Sequence, residues 1–330
     1  MKALLLKISL LAVATPVLAG NVPTPAPAAT PTQFIDTFAK IFGEHKGERK
    51  GHAKGFCVSG SFVGAQSMLP YSKAALFSGD TYPLTGRFSM AGGNPKAAEN
   101  SRSPRGFAAQ IKLNNGELQH FALLSTPMFG AKDPDSFLGL LMASIPDPTT
   151  GKADMAKIAA YRDKNPDTKA QADYLAKTAP PASYANSPYF GLHTFYLENS
   201  AGKQQAVRWQ LQPLDGVKGL TNEEITAKPS DFLEQRLMAQ LATAPVKFKL
   251  QFQLASAEDN LLDPSKSWPQ NRTVLDGGEL QITAAGGDAC KNINFDPNVL
   301  TSGISASKDP VLQMRSSAYA VSFGKRLSGQ

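Results

Sequence analysis

Hydrophobic and polar residues alternate strictly in several stretches of the chain, which is typical of β-strands with one buried face. The clearest stretch is 246–254, where every second residue is apolar and the residues between are lysine or glutamine. Residues 207–212 and 107–113 show the same period of two, with polar or small residues between the apolar ones. Because each such strand buries one face, their number predicts an antiparallel sheet rolled into a barrel.

Helices are predicted between and before these strands. Apolar residues recur at helical spacing from Phe34 to Phe42, and Thr32 precedes them as the expected cap. Three further segments have helix-forming composition and are each bounded by a proline: 153–161, 168–177 and 231–241. Strands and helices mixed in this way predict the α+β class.

The first residues have the pattern of an export signal. Lys2 precedes an apolar run that ends in small residues before Gly20. We therefore expect a signal peptide over residues 1–19 and a periplasmic or secreted mature protein. A membrane anchor fits less well because Lys7 and Pro16 interrupt the run. No stable membrane insertion is expected after cleavage.

Composition predicts one domain behind a short leader. Residues 20–33 are rich in proline, alanine and threonine and cannot build a core. Residues 34–330 suffice for one domain and contain no second linker of this kind. The formal charge of +7 includes two lysines of the signal, and the basic residues are not clustered with aromatic ones. Nucleic acid is therefore not an expected partner, and the oligomeric state stays open.

The chain has two cysteines, Cys57 and Cys290, far apart in sequence. Export to an oxidising compartment permits a disulfide between them. Cys57 lies in a predicted strand, however, where a small buried apolar residue is an equally good interpretation. The sequence leaves both alternatives open.

Arg315 lies four residues before Tyr319, on the same face of a predicted helix. A free tyrosine has a pKa of about 10, so its oxygen binds a metal at neutral pH only when the metal and a fixed positive neighbour stabilise the phenolate. Arg315 is placed to be that neighbour, which makes Tyr319 a candidate metal ligand. An ordinary helix with one exposed and one half-buried side chain is the alternative.

An ordered series of motifs along most of the chain resembles the haem catalase family. The motifs are Arg49-x-x-His52-Ala53-Lys54-Gly55, Arg87-Phe88-Ser89, Pro104 to Ala108, Thr126 to Phe129, Gly191 to Phe195, Ser267-Trp268-Pro269, Phe295-Asp296-Pro297 and Arg315 to Arg326. The chain is similar to the short exported branch described as catalase-related peroxidases. This resemblance implies a catalase-like antiparallel β-barrel with surrounding helices that enclose haem b.

The resemblance also implies how the haem is held. Tyr319 would be the axial iron ligand, with Arg315 hydrogen-bonded to its oxygen. Arg49, Arg87 and Arg326 would meet the haem propionates, because a guanidinium fork suits a carboxylate.

On the opposite, distal side the resemblance implies an acid–base site. His52 would move the proton of peroxide, and Ser89 would accept a hydrogen bond from its ring and fix its orientation. Phe137 would stack against the porphyrin. A non-enzymatic haem-binding protein is the alternative from another class, and it would need neither His52 nor Ser89.

Two departures from the family pattern indicate a peroxidase. Catalases carry Asn-Asn-Thr-Pro where this chain reads Leu124-Ser125-Thr126-Pro127, so the amide that orients peroxide is lost and only the Ser125 hydroxyl or a water is left to substitute for it. Gly51 replaces a valine before the distal histidine, which implies a wider entrance. Both changes favour reduction of hydrogen peroxide by a small organic electron donor. A minimal catalase that dismutes hydrogen peroxide is the alternative.

Overall fold

The computed structural model describes residues 28–330, so the predicted signal peptide and the first part of the leader lie outside the described residues. Its strands are β1 (Gly55–Gly64), β2 (Thr81–Met90), β3 (Arg105–Lys112), β4 (Leu118–Leu124), β5 (Tyr189–Phe190), β6 (Phe195–Glu198), β7 (Gln204–Pro213), β8 (Val246–Leu254), β9 (Val274–Ala285) and β10 (Ile304–Ala306). Its α-helices are α1 (Pro31–Phe42), α2 (Pro134–Ala143), α3 (Met155–Lys164), α4 (Ala170–Lys177), α5 (Asn222–Thr226), α6 (Phe232–Leu241) and α7 (Pro310–Leu327).

Eight of the strands close into an antiparallel barrel. The order around the barrel is β7-β5-β4-β3-β2-β1-β9-β8, and β8 pairs again with β7. β6 and β10 extend the sheet from β7 outside this ring. The predicted α+β barrel is therefore confirmed.

Apolar and polar residues alternate along the strands, and the apolar side chains fill the interior of the barrel. In β8 the apolar residues from Val246 to Phe252 are buried, while the lysines and glutamines between them are exposed or half-buried. Phe88, Phe107, Tyr189 and Phe248 pack against one another inside, with ring centroids between 4.6 and 6.4 Å apart. Because aromatic rings fill this interior, the large cavity of the molecule lies outside it, between the barrel and the helices.

Helix α1 begins earlier than the sequence predicted. Thr30, not Thr32, is the cap: its side-chain oxygen accepts from the backbone of Gln33, and the Gln33 side chain accepts from the backbone of Thr30. The prediction was wrong because Pro31 takes the first helical position, which its fixed φ favours. The helix thus starts inside the predicted leader. Between residues 28 and 330 no helix is both long and apolar enough to cross a membrane.

Cys57 and Cys290 form a disulfide, with their Cα atoms 5.3 Å apart. The bridge joins β1 to the segment that follows β9, and both cysteines are buried. Of the two interpretations that the sequence left open, the structure therefore has the bridge.

Candidate functional site

One large cavity lies between the outer face of the barrel and helices α1, α2 and α7, with about 1450 Å³ of non-protein space including its mouth. On the barrel side its wall is made of small residues. Gly106 pairs with Leu124, and Ala108 pairs with Ala122, on the face of β3 and β4 opposite the buried phenylalanines. All eight predicted site residues line this cavity: Arg49, His52, Arg87, Ser89, Phe137, Arg315, Tyr319 and Arg326. Their individual roles stay predictions.

Helix α7 supplies the tyrosine side of the cavity. Asp309 caps the helix by accepting from the backbone of Val311 at 2.8 Å and of Leu312 at 3.3 Å. The Arg315 Nη2 atom donates a hydrogen bond to the Tyr319 hydroxyl oxygen one turn later. A guanidinium is therefore fixed at the oxygen that the sequence predicts to be the metal ligand.

Two further residues, to which the sequence analysis gave no role, hold that arginine. His193 is buried, and its Nδ1 atom lies 2.6 Å from an Asp309 carboxylate oxygen. Its Nε2 atom accepts from Arg315 Nη1 at 3.1 Å. Burial lowers the pKa of His193, although Asp309 opposes this effect, so the ring is neutral and its Nε2 lone pair is free to accept. A chain of contacts therefore runs from Asp309 through His193 and Arg315 to Tyr319.

His52 faces the same cavity from the loop before β1. Its φ angle is 55°, in the left-handed region that histidine tolerates better than most residues. Arg87 stabilises this loop, because its two Nη atoms donate to the carbonyl oxygens of His52 and Ala53 at 2.7 and 2.8 Å. The conformation that presents the imidazole to the cavity is thus held by a buried guanidinium.

A hydrogen bond joins the His52 ring to Ser89. The Nδ1 atom lies 2.9 Å from the Ser89 hydroxyl oxygen, which also lies 3.5 Å from the Gly106 carbonyl oxygen. When the hydroxyl donates to this carbonyl, it accepts the Nδ1 proton, and the lone pair of the ring then lies on Nε2. A Cβ atom at position 106 would lie 2.8 Å from His52 Nδ1 and 2.7 Å from the Ser89 hydroxyl, so this pair requires the glycine.

The protonation state of His52 follows from its surroundings. Burial, and then the charges of Arg87, Arg315 and Arg49, lower its pKa to about 3. The imidazole is therefore neutral at physiological pH. A neutral ring with a free Nε2 lone pair can accept a proton from a molecule bound in the cavity.

Three arginines line the cavity without an acidic partner among the described residues. None of Arg49, Arg87 and Arg326 forms an ion pair with an acidic side chain in residues 28–330. Arg326 has a buried Nη2 atom without a hydrogen-bond partner. Burial and the neighbouring guanidinium groups lower the pKa of Arg49 to about 9. An anionic ligand would relieve this repulsion, and a porphyrin with two carboxylates fits the three cations, the apolar walls and Tyr319.

The Ser125 hydroxyl does not substitute for the missing amide. This residue does not line the cavity, and its hydroxyl accepts the backbone N–H of Arg105 at 3.0 Å. Leu124 lines the cavity instead, and it pairs with Gly106, against which the His52 ring lies. The residue beside the His52 imidazole is therefore apolar, and its side chain offers no hydrogen bond.

Gly51 leaves space next to His52. It lines the cavity, and a Cβ atom built at this position would meet only Phe38 of α1, at 3.9 Å. A larger residue would occupy this space, so the glycine widens the cavity at that point. The wider entrance that the sequence implied stays a prediction.

Known proteins that are similar to this chain belong to the catalase family, the family that the sequence motifs resemble. The catalase family model matches residues 26–330. A catalase-related peroxidase of Synechococcus elongatus is 45% identical over 276 residues, 83% of this chain and 81% of the relative. Another, of Mycolicibacterium paratuberculosis, is 32% identical over 274 residues, 81% of this chain and 85% of the relative. The structure of a fungal catalase superposes on this chain with a TM-score of 0.78 at 24% sequence identity. The match covers 96% of this chain and 66% of the fungal catalase.

Proposed function

The chain belongs to the catalase family, and from this premise we propose that it is a haem b-dependent peroxidase that reduces hydrogen peroxide with a small organic electron donor and has weak catalase activity. Membership makes it a haem oxidoreductase acting on hydrogen peroxide. What we propose beyond this is that an organic donor is the reductant and that dismutation of peroxide is slow. The observation that carries it is the apolar Leu124 wall beside His52.

The residues of the cavity would hold haem by three kinds of contact. Tyr319 would bind the iron through its phenolate, supported by Arg315. Arg49, Arg87 and Arg326 would pair with the carboxylates, and apolar residues such as Phe137 would contact the ring. When bound, haem supplies the iron and the porphyrin that take up the oxidising equivalents of peroxide.

The distal side would handle the proton of peroxide. In the proposed mechanism, the free Nε2 atom of His52 takes a proton from one oxygen of hydrogen peroxide and returns it to the oxygen that leaves. Ser89 keeps the ring oriented by accepting from Nδ1 at 2.9 Å. This arrangement favours an enzyme over a passive haem carrier, because a carrier would need no oriented base.

The cavity wall would determine whether a second peroxide or an organic donor serves as the reductant. Dismutation needs a second peroxide that is held by hydrogen bonds, and one preorganised donor is typically worth about 10² to 10³ in rate. Leu124 makes no such bond, whereas an aromatic donor can contact it and can approach through the space at Gly51. We therefore propose that donor oxidation exceeds oxygen evolution.

Leu124→Asn should raise oxygen evolution roughly tenfold or more, because it places an amide beside His52. Oxygen release is followed with an electrode and oxidation of a phenolic donor by absorbance. Ser125→Asn is the matched control and should leave the ratio of the two rates unchanged, since that side chain lies outside the cavity lining. A wild-type protein that evolves oxygen vigorously and ignores donors would instead be a minimal catalase.

We also propose that the protein is exported and that its mature form begins near Gly20. The apolar N-terminal run supports this, as does the Cys57–Cys290 disulfide, because such bonds persist in oxidising compartments. Mass spectrometry of the protein from its natural host should give a first residue near Gly20, in the periplasmic or secreted fraction. A cytoplasmic protein that keeps its first nineteen residues would refute the proposal.

A further inference from the structure

The segment between β9 and β10 contributes to the cavity through its backbone. The carbonyl oxygens of Cys290 and Ile293 both accept from Arg49 Nη2, at 3.1 and 2.9 Å. Phe295 lies under the same side chain, with the Arg49 guanidinium carbon 5.8 Å from its ring centroid. The position of Arg49 therefore depends on where this segment lies.

The disulfide is the main anchor of that segment. Residues 286–289, 291 and 292 are exposed, whereas Cys290 is 1% exposed. The Gly286 N–H donates to the Cys57 carbonyl oxygen at 2.8 Å, and the segment is next packed firmly at Phe295, which is 5% exposed, and at Asp296, whose carbonyl lies 3.1 Å from His120 Nδ1. Between these two points the bond to Cys57 ties an otherwise exposed turn to β1.

The other end of the bridge is also close to the arginine cluster. Cys57 lies directly opposite Arg87 in the pairing of β1 with β2, so the two side chains share one face of the sheet. Arg49 is repelled by Arg87 and Arg326, which contribute to its lowered pKa. Fixed carbonyl acceptors are therefore needed to keep Arg49 in the cavity, and the bridge fixes one of them directly.

We infer that the Cys57–Cys290 disulfide is a positioning element for Arg49 and, through Arg49, for one carboxylate of the bound haem. This inference rests on the proposed haem function. It predicts that the bridge controls how long haem is retained, beyond any effect on the stability of the fold.

The test measures transfer of haem from the full-length holoprotein to excess apomyoglobin. Replacing both cysteines, Cys57→Ala with Cys290→Ala, should accelerate transfer roughly tenfold, the effect of losing one well-placed hydrogen bond to a charged group. Arg49→Ala should give a similar acceleration. If the double variant does not fold, reduction and alkylation of the folded wild-type holoprotein provides the same comparison.

A double-mutant cycle separates positioning from general stabilisation. Adding Arg49→Ala to the protein without the bridge should change transfer little further, because both changes remove the same contact. Independent effects, roughly a hundredfold when combined, would overturn the inference, as would unchanged transfer without the bridge. Leu197→Ala, a buried position on β6 that does not line the cavity, is the control for lost stability. It should not accelerate transfer, and an equal acceleration there would also overturn the inference.

Uptake of hemin by the wild type is measured first. A wild type that takes up no hemin would refute the proposed function itself. A wild type that retains hemin equally well with and without the bridge would refute only the role of the disulfide.

Discussion

Tyr319→Phe should abolish the tyrosinate signature of the ferric haem protein and, with it, turnover of hydrogen peroxide. Phenylalanine keeps the ring but offers no oxygen to the iron, and Arg315 then loses the atom to which it donates. Hemin-reconstituted protein would be examined by absorption and resonance Raman spectroscopy, and turnover by peroxide consumption. We expect no phenolate bands and activity at the level of free hemin.

Tyr161→Phe is the matched control for this substitution. Its hydroxyl donates to the Ser136 carbonyl oxygen at 3.1 Å, outside the cavity lining, so its loss should leave the haem spectrum unchanged. If the Tyr319 variant kept the ligand spectrum of the wild type, the assignment of the iron ligand would be wrong.

Strands with one solvent-facing side were predictable from sequence, and the others were not. The alternation of residues 246–254 predicted β8 because its lysines and glutamines point away from the core. In β2 the alternation of exposed and buried residues stops after Thr85, and Phe88, Ser89 and Met90 are all buried, so both faces are covered there. In β9, Gly277 and Gly278 interrupt the pattern beside a register shift in its pairing with β8.

Local motifs predicted the reactive side chains, but not the contacts that position them. His52 and Tyr319 were found because each lies in a short recognisable series. The pair of His193 and Asp309 is separated by 116 residues, and no local signal reports that they meet. Which of Leu124 and Ser125 lines the cavity depends on the register of the strand, because neighbouring residues at the end of a strand face opposite sides.

The substitution with the second largest expected effect is His52→Ala, which should keep haem and slow the reaction with peroxide by about 10² to 10⁴, the usual value of acid–base catalysis. The ligand side of the cavity is untouched, so the Tyr319 spectrum should persist. Stopped-flow absorbance would give the rate. Because position 52 has a φ of 55°, the variant His52→Asn is a second test, since asparagine accepts this conformation but supplies no base.

His45→Ala is the control for the loss of a histidine. This residue lies outside the cavity lining and contacts the Phe42 carbonyl oxygen at 3.0 Å, so the rate should not change. An unaffected rate in both His52 variants would mean that the imidazole moves no proton, and the haem-carrier interpretation would gain.

The pH dependence of the wild type tests the same base without a substitution. A histidine with its ordinary pKa of about 6.5 would lose its free lone pair as the pH falls through that value. The pKa of His52 is lowered to about 3, so the ring stays neutral and the stopped-flow rate should be flat from about pH 8 to 5. Below about pH 6.5 the unfolded chain binds a proton at His52 that the folded chain does not bind, so acidification should lower the free energy of unfolding between about pH 6.5 and 3. A rate that falls with a midpoint near pH 6.5 would show that His52 is not held in its neutral form.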